Sequence, residues 1–375
     1  MKNSGMKVLK LSIIALCLIS FAALFFLANR GADDSSPDVD VLSFSSTGRV
    51  VQVVEDTPAT NYMPRQQLLE VEVLRGELAG VIVETQHFLP TPAYRAFYEG
   101  DRVFIVIGES MAHISSPDRG AVMVGFVIFF LAFLCLIGGK RGIMSVLSLV
   151  FSLFSIVFLL VPLTLQGYPI ILFTIIIASL IAVVSLTTLV GINAKSITAI
   201  IGCIFGSISA ALFAWVAGHL AFINGYHTEY AGDLMFYTDA PLGTLFISGA
   251  IIAAMGAIMD IAMTIASTME ELKRTSPTIS SKELFVSGLN VGRDAMGTMS
   301  NTLILAFVGS SLSLTLLIFA MDTSFADFIN SDMIAIEVIK GIAGSIGIIL
   351  TVPITTFLGA RLFSSKLFAI NNENK

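Results

Sequence analysis

A single carboxylate, Asp260, interrupts the apolar segment GAIIAAMGAIMDIAMTIAST at residues 249–268. On a helix, its face also carries the small residues Ala253 and Gly256 and, one turn further on, Thr264. An ionised acid in hydrocarbon is costly, so such carboxylates face a bundle interior or a wet cavity and often mark an ion or substrate path. The pattern therefore indicates a site for a proton, an ion or a polar solute. The alternative is an acid near the cytoplasmic end, neutral or paired, that only holds helices together.

A second set of polar residues follows in the chain. Ser280-x-x-Glu283 has the spacing of a capping box, in which the serine oxygen and the glutamate satisfy backbone N–H groups at a helix start. On the helix that this motif predicts, Asn301 lies at a depth comparable with that of Asp260, and the two side chains can meet. The candidate polar pathway consists of Asp260, Thr264, Arg293, Asp294, Thr298 and Asn301.

The charged residues of this set have a second interpretation. Arg293 is the nearest basic candidate to neutralise Asp260 or Asp294, but Asp294 can equally cap the helix while Arg293 binds a lipid phosphate. Further along, Glu337 and Lys340 stand three residues apart on one helical face, where we expect them to pair or to reach outward.

The elements that position these residues are membrane helices. The chain has 375 residues, of which 55% are hydrophobic and only 13% charged, and its mean hydropathy is +0.87. Ordinary soluble domains are about one-quarter charged, so this composition is that of a membrane protein. Crossing the hydrocarbon takes roughly 20 helical residues. The sequence predicts eight such spans, near residues 10–28, 120–138, 143–161, 169–190, 196–222, 243–268, 297–320 and 334–360.

Lysine and arginine set the predicted orientation, because basic residues in short loops are retained on the cytoplasmic side. Three short loops, 162–168, 223–242 and 321–333, contain neither residue, whereas the alternate loops and both ends of the chain contain at least one. The sequence therefore predicts a multi-pass protein of the plasma membrane with both termini cytoplasmic. The formal net charge of −6 and the lack of a basic face argue against binding of nucleic acid.

Four segments are predicted. Residues 1–30 form an N-terminal anchor helix or a signal peptide, 31–118 an extracytoplasmic β-rich domain, 119–363 a seven-helix membrane domain, and 364–375 a cytoplasmic tail. Four or five strands suit a small barrel or curled sheet, since closure protects exposed strand edges. The strands are predicted from runs rich in valine and isoleucine, at 47–56, 67–75, 80–87 and 101–109.

Cysteine spacing and sequence motifs give no sign of a reaction centre. Cys17, Cys135 and Cys203 all lie inside apolar spans, so the exported segment has no disulfide. No residue spacing specifies a metal or a cofactor, and none is expected. The chain has no HExxH, GxSxG or P-loop motif, so it is not expected to be an enzyme.

Small residues at intervals of three or four allow helices to approach closely in lipid. Internal packing is the default interpretation of such residues, and one of their faces is a candidate surface for a second chain. The candidate helix-packing residues are Gly202, Gly206, Gly249, Gly256, Gly341, Gly344 and Gly347.

Two stretches, GAIMDIAMTIASTMEELKR and SKELFVSGLNVGRDAMGTMSNTLILAFVGSSLSL, resemble the signature of the YibE/F-like family of bacterial multispanning membrane proteins. The resemblance covers approximately residues 120–360, and the exported β-rich segment makes the chain similar to the larger, YibE-like members. It implies a permease of unknown substrate, with a YibF-like membrane subunit or a second copy of the chain as candidate partner. It supplies no catalytic residues.

The leading hypothesis is thus a permease or permease subunit for an unidentified small solute or ion, with the polar pathway residues along its route. The alternative is a non-transporting membrane protein whose exported β domain binds an envelope or signalling partner. An intramembrane enzyme comes third, because the usual catalytic motifs are missing.

Overall fold

The computed structural model describes residues 21–27, 44–59, 63–76, 78–91, 94–108, 112–228, 230–238, 240 and 242–364. The chain divides into two compact units. One is Ser36–Ile137, and the other joins Met1–Ser35 to Gly138–Lys375.

The first unit contains a five-stranded β-barrel. Its strands are β1 (Phe44–Thr57), β2 (Arg65–Val73), β3 (Ile82–Leu89), β4 (Arg102–Ile107) and β5 (Ala112–Pro117). They close in the order β1-β2-β3-β5-β4, with β3 and β5 parallel and the other neighbours antiparallel. This is the strand order of the OB-fold, a five-stranded Greek-key barrel. The β-rich prediction is confirmed, and its placement outside the membrane stays a prediction.

Strand β1 pairs with both β2 and β4 because Gly48 lets it pass close to each of them. Gly48 stands opposite Val73 of β2 and Val103 of β4, and a Cβ at this position would overlap the side chain of Val71. Closure around this point buries eight apolar side chains: Val50, Leu69, Val71, Val73, Phe97, Val103, Ile105 and Ile114.

One buried amide in the barrel is fully hydrogen-bonded. Gln67 Nε2 donates to Phe97 O at 3.2 Å and to Asp56 Oδ2 at 3.0 Å, and Gln67 Oε1 accepts from Phe97 N at 2.9 Å. Arg65 donates to both oxygens of Asp56, at 2.9 and 2.6 Å. The hydrogen bond from Arg65 holds the pKa of the Asp56 carboxyl below its usual value. These contacts attach the segment around Phe97 to the strands.

In the described part of the chain, nine helices follow the barrel. They are α1 (Gly120–Leu165, with a π-helical turn at Ile156–Leu160), α2 (Ile170–Val190), α3 (Ala194–Leu220), α4 (Ala231–Tyr237), α5 (Leu245–Thr275), α6 (Ser281–Ser310), α7 (Leu312–Ala320), α8 (Phe325–Asn330) and α9 (Asp332–Ser364). Five of them, α1, α2, α3, α5 and α9, are long and apolar enough to cross a membrane. The pair α6 and α7, bent by 56°, makes a sixth if it is counted as one span.

The first of these helices carries two of the eight predicted spans. It consists of two helical segments, residues 120–138 and 140–165, which are about 28 and about 39 Å long at 1.5 Å per residue, so that each has about the length needed to cross the hydrocarbon. Gly139 interrupts it with φ 53° and ψ −132°, between the spans predicted at 120–138 and 143–161. The span predicted at 10–28 lies mostly outside the described residues. Membrane-length helices are therefore confirmed, and the number eight stays a prediction.

Helix α5 is packed on most of its circumference. It contacts α2, α3, α6 and α9, and Thr174 Oγ1 of α2 donates to Ser248 Oγ of α5 at 3.0 Å. Isoleucines fill its packed side because a broad, stiff side chain matches the grooves between the neighbouring helices. Those with essentially no exposed surface are Ile247, Ile251, Ile258, Ile261 and Ile265.

Glycine and threonine bring α3 and α9 into close contact. A Cβ at Gly206 of α3 would overlap the hydroxyl of Thr351 and lie 3.1 Å from the carbonyl oxygen of Gly347, both on α9. One turn away, a Cβ at Gly202 would overlap the hydroxyl of Thr355. No larger residue fits at these positions without separating the helices.

The other predicted packing glycines fall into two groups. A Cβ at Gly344 would lie 3.0 Å from Ala254 Cβ of α5, and one at Gly341 would lie 3.6 Å from Phe307. An added Cβ at Gly249 or Gly256, in contrast, would meet no atom within 4 Å. Gly249 lines a cavity together with residues of α1, α2 and α9, so its open space lies partly between helices of the same chain.

These two environments predict opposite effects of the same substitution. Gly206→Leu should lower the free energy of unfolding by about 1–3 kcal/mol or more, because the added atoms meet a backbone carbonyl that cannot move aside. Gly256→Leu should leave thermal unfolding of the detergent-solubilised chain nearly unchanged. Thermal unfolding monitored by size-exclusion chromatography measures both, and equal loss of folded protein in the two variants would contradict this assignment.

Candidate functional site

Asp260 lies on an exposed stripe that runs along α5. The other members of the stripe are Gly249, Ala253, Gly256 and Thr264, and all five are exposed. From Gly249 to Thr264 the stripe extends about 22 Å at 1.5 Å per residue, most of the hydrocarbon thickness. Small side chains surround the acid, so the carboxylate is accessible from the open side of the helix.

Helix α6 begins where the sequence predicts. Ser280 N donates to Glu283 Oε2 at 2.9 Å, and Glu283 N donates to Ser280 Oγ at 3.2 Å, which completes the capping box. The helix then continues through Gly288 and Gly292 because both pack against neighbours. A Cβ at Gly288 would lie 2.8 Å from Met269 Sδ, and one at Gly292 would lie 3.0 Å from Ile265 Cδ1.

Those two contacts set the register between α5 and α6. Four residues forward on α6, from Gly288 to Gly292, correspond to four residues back on α5, from Met269 to Ile265, as in an antiparallel pair. Extending this register places Asp260 level with Gly297. Asn301 lies one turn further from the α5–α6 connection, about 6 Å along the helix axis.

The predicted pathway residues of α6 form no hydrogen bond or ion pair with Asp260. Arg293, Asp294, Thr298 and Asn301 are all exposed, as Asp260 is. Among the described residues, Arg293 forms no ion pair either. The meeting of Asp260 and Asn301 stays a prediction.

An unpaired carboxylate on a membrane-length helix limits what the site can do. It can take up a proton, bind a cation, or pair with a basic group supplied from outside the described chain. It is not placed to hold a metal by itself, and the described residues contain no group of three or more histidine, cysteine, aspartate or glutamate side chains that could do so.

A second polar feature lies at the opposite ends of the helices from the α5–α6 connection. A cavity of about 830 Å³ is lined by α6, α7, α9 and the segment before α4. Glu337 and Lys340 form an ion pair at its wall, with side chains 24% and 20% exposed. Lys340 Nζ also lies 5.6 Å from the centre of the Phe307 ring. The sequence allowed this pair to form or to reach outward, and it forms.

Lys340 belongs to two cavities. The second has a volume of about 420 Å³ and is mainly apolar, and Lys340, Thr228, Leu234 and Leu245 line both spaces. The volumes are those of sites for small molecules. The sequence signal was the spacing of Glu337 and Lys340 on one helical face, but it gave no indication of a cavity beside them.

The ion pair predicts a non-additive response to substitution. Lys340→Met should lower the free energy of unfolding by about 1–2 kcal/mol, because it leaves Glu337 unpaired at the cavity wall; the exposed fraction keeps this loss below that of a fully buried pair. Adding Glu337→Gln should recover part of the loss, since neither group is then charged. Thermal unfolding of both single variants and of the double variant completes a double-mutant cycle. Additive losses in the free energy of unfolding would show that the two charges do not interact.

The fold and these features define the class of the protein: a mainly α-helical protein with five, or up to six, helices of membrane length and a small β-barrel, which fits a membrane protein. A family model described as YibE/F-like protein matches residues 126–365, and the chain belongs to this family. The matched region contains every pathway residue and excludes the barrel. Neither the curated proteins nor the solved structures contain a match.

Proposed function

We propose that the protein is a permease, or a subunit of one, for a small solute or ion. The observation that carries this proposal is Asp260, an exposed acid without a counter-charge among the described residues, on a helix of membrane length. A charged group at the bilayer centre costs at least about 2.5–3.5 kcal/mol. An ionised residue with only a packing role would have a neutralising partner in its own bundle, and Asp260 has none in the described part of the chain.

The polar route in this proposal runs along the open side of α5. Gly256 and Thr264 flank the carboxylate by one turn on each side, so a hydrated ion or a small polar solute could pass without displacing a large side chain. The cavity beside Glu337 and Lys340 supplies a polar space toward one end of the bundle. We assign Asp260 the role of binding the ion or proton.

A second chain is the proposed cover for this route, because lipid would otherwise contact the carboxylate directly. A YibF-like subunit is the first candidate and a second copy of this chain the alternative. Gly249 and Gly256 are open, so another helix can approach closely there. The Gly256→Leu variant, which should keep its own fold, would then lose co-purification with its partner.

The proposed topology has eight spans, both termini in the cytoplasm and the barrel outside. It is supported by the span lengths and by the absence of lysine and arginine from three alternate short loops. In a variant without native cysteines, Ser45→Cys and Thr228→Cys should react with an impermeant thiol reagent in intact cells. Ser276→Cys should react only after permeabilisation, and its labelling in sealed cells would overturn the topology.

Proteoliposomes test the role of Asp260. With a potassium diffusion potential imposed, proton or sodium entry should occur in the wild-type protein and fall at least tenfold in Asp260→Asn, because the amide can neither titrate nor neutralise a cation. Glu271→Gln is the matched control, since Glu271 lies on the same exposed side of α5 but pairs with Arg274 at the helix end. Undiminished flux in Asp260→Asn would refute the proposed role. Absence of proton and sodium flux in the wild type would refute transport of these ions.

A further inference from the structure

A groove with three arginines lies in the first unit, where the barrel meets the start of α1. Its volume is about 770 Å³, and its walls come from strands β1, β4 and β5, from the end of β2 and from the first turn of α1. Arg75, Arg102 and Arg119 line it. Neither the polar stripe of α5 nor the cavity at Lys340 includes any of these residues.

The groove carries a net positive charge, because three arginines and one acid, Asp118, line it. Arg75, Arg102 and Arg119 are exposed, and within the described ranges none of their guanidinium groups forms an ion pair. By contrast, Arg65 and Arg95 of the same unit pair with Asp56 and Asp101, at 2.6 and 2.9 Å.

Two neighbouring residues define the charge more closely. Asp118 is the acid of the groove wall, but its Oδ1 accepts from Gly120 N at 3.1 Å, so it serves the helix start. Arg49 stands directly opposite Arg102 in the β1–β4 pairing, but it also stands directly opposite Glu72 in the β1–β2 pairing, so it adds no net charge to the groove.

The position of the groove indicates which anion it meets. Arg119 immediately precedes α1, whose most apolar window has a mean hydropathy of 2.9 and is not buried by the chain. Val122, Met123 and Val124, in the first turns of α1, are each more than half exposed. In the proposed topology the arginines thus lie where α1 enters the hydrocarbon, at the depth of phospholipid phosphates. A lysine-free, arginine-lined site next to an exposed apolar surface matches an amphiphile with a phosphate head.

We propose that this groove binds the phosphate headgroup of an anionic phospholipid. Arginine suits the task because its planar fork can donate two parallel hydrogen bonds to phosphate oxygens. The first turn of α1 adds backbone N–H groups without intrahelical acceptors and the positive end of the helix dipole. The acyl chains then lie along the exposed apolar surface that begins at Val122. A free phosphate would gain nothing from that surface.

The orientation of the protein in the membrane does not explain the arginines of this groove. Basic residues beside a span normally mark the cytoplasmic side, yet the proposed topology puts Arg119 on the outer side. Arginines retained there at a span end need another reason, and a lipid phosphate supplies it.

Lipid retention by the full-length protein tests the proposal. Protein in neutral detergent is incubated with phosphatidylglycerol or phosphatidylcholine, and bound lipid is counted by native mass spectrometry. Each arginine near a membrane surface strengthens binding of anionic lipid roughly fivefold. Arg102→Gln with Arg119→Gln should therefore weaken phosphatidylglycerol binding roughly twenty-fivefold. Arg95→Gln, which removes a paired arginine of the same unit, should have no effect.

The other possible outcomes would each overturn a part of the proposal. Unchanged phosphatidylglycerol binding in the double variant, or an equal loss in Arg95→Gln, would overturn the site. Equal binding of phosphatidylcholine by the wild type would overturn the role of charge. Displacement of the lipid by millimolar inorganic phosphate would overturn the lipid assignment in favour of a free anion. If the double variant loses protease resistance, Arg102→Lys takes its place in the experiment. Lysine retains the positive charge but lacks the planar guanidinium, so undiminished phosphatidylglycerol binding in this variant would overturn the proposed bidentate contact.

Discussion

The helical unit depends on the close contact between α3 and α9. Apolar side chains gain little by leaving lipid for another helix, so helices in a bilayer associate through close packing and polar contacts rather than through the hydrophobic effect. At Gly206 and Gly347 the two backbones approach until an added Cβ at Gly347 would lie 2.9 Å from Gly206 O. Ile258 of α5 reaches the same point, since an added Cβ at Gly206 would lie 2.9 Å from its Cγ2. This contact therefore fixes the position of three helices at once and decides which side of α5 is left open.

The two sides of α5 differ in a way that follows from this arrangement. Its packed side carries isoleucines, whereas its open side carries glycine, alanine, aspartate and threonine. A side intended for lipid usually carries large apolar residues, as α1 does with Phe126 and Phe129, which are 63% and 68% exposed. The open side of α5 has the composition of a helix contact or a wet surface instead. It is this contrast within one chain, rather than the acid alone, that distinguishes α5 from a lipid-facing helix.

The sequence correctly indicated where most helices and strands lie, but it did not indicate which helix faces are packed against other helices. The capping box at Ser280 located the start of α6, and runs of valine and isoleucine located four strands. The fifth strand, AHISSP, lacks such a run because it buries little beyond Ile114 and closes the barrel between β3 and β4. Helical spacing placed Asp260 on a face with small residues, but the spacing of Gly202 with Gly206 and that of Gly249 with Ala253 are identical. One pair is packed and the other open, because periodicity defines a face and says nothing of what covers it.

Asp260 and the groove arginines lie in different surroundings, and this determines what each requires. In the proposed topology the groove arginines stand at the membrane surface, where each contributes about 1 kcal/mol to attraction by anionic lipid. Asp260 lies on the exposed side of a membrane-length helix, and a charge there costs more the closer it lies to the bilayer centre, up to at least about 2.5–3.5 kcal/mol. The arginines can therefore remain without a ligand, whereas the carboxylate always needs a proton, an ion, water or another chain. Asp260 therefore requires that the assembled protein supply a proton, an ion, water or another chain to its carboxylate. The open stripe of small residues around Asp260 is the surface at which this group must bind.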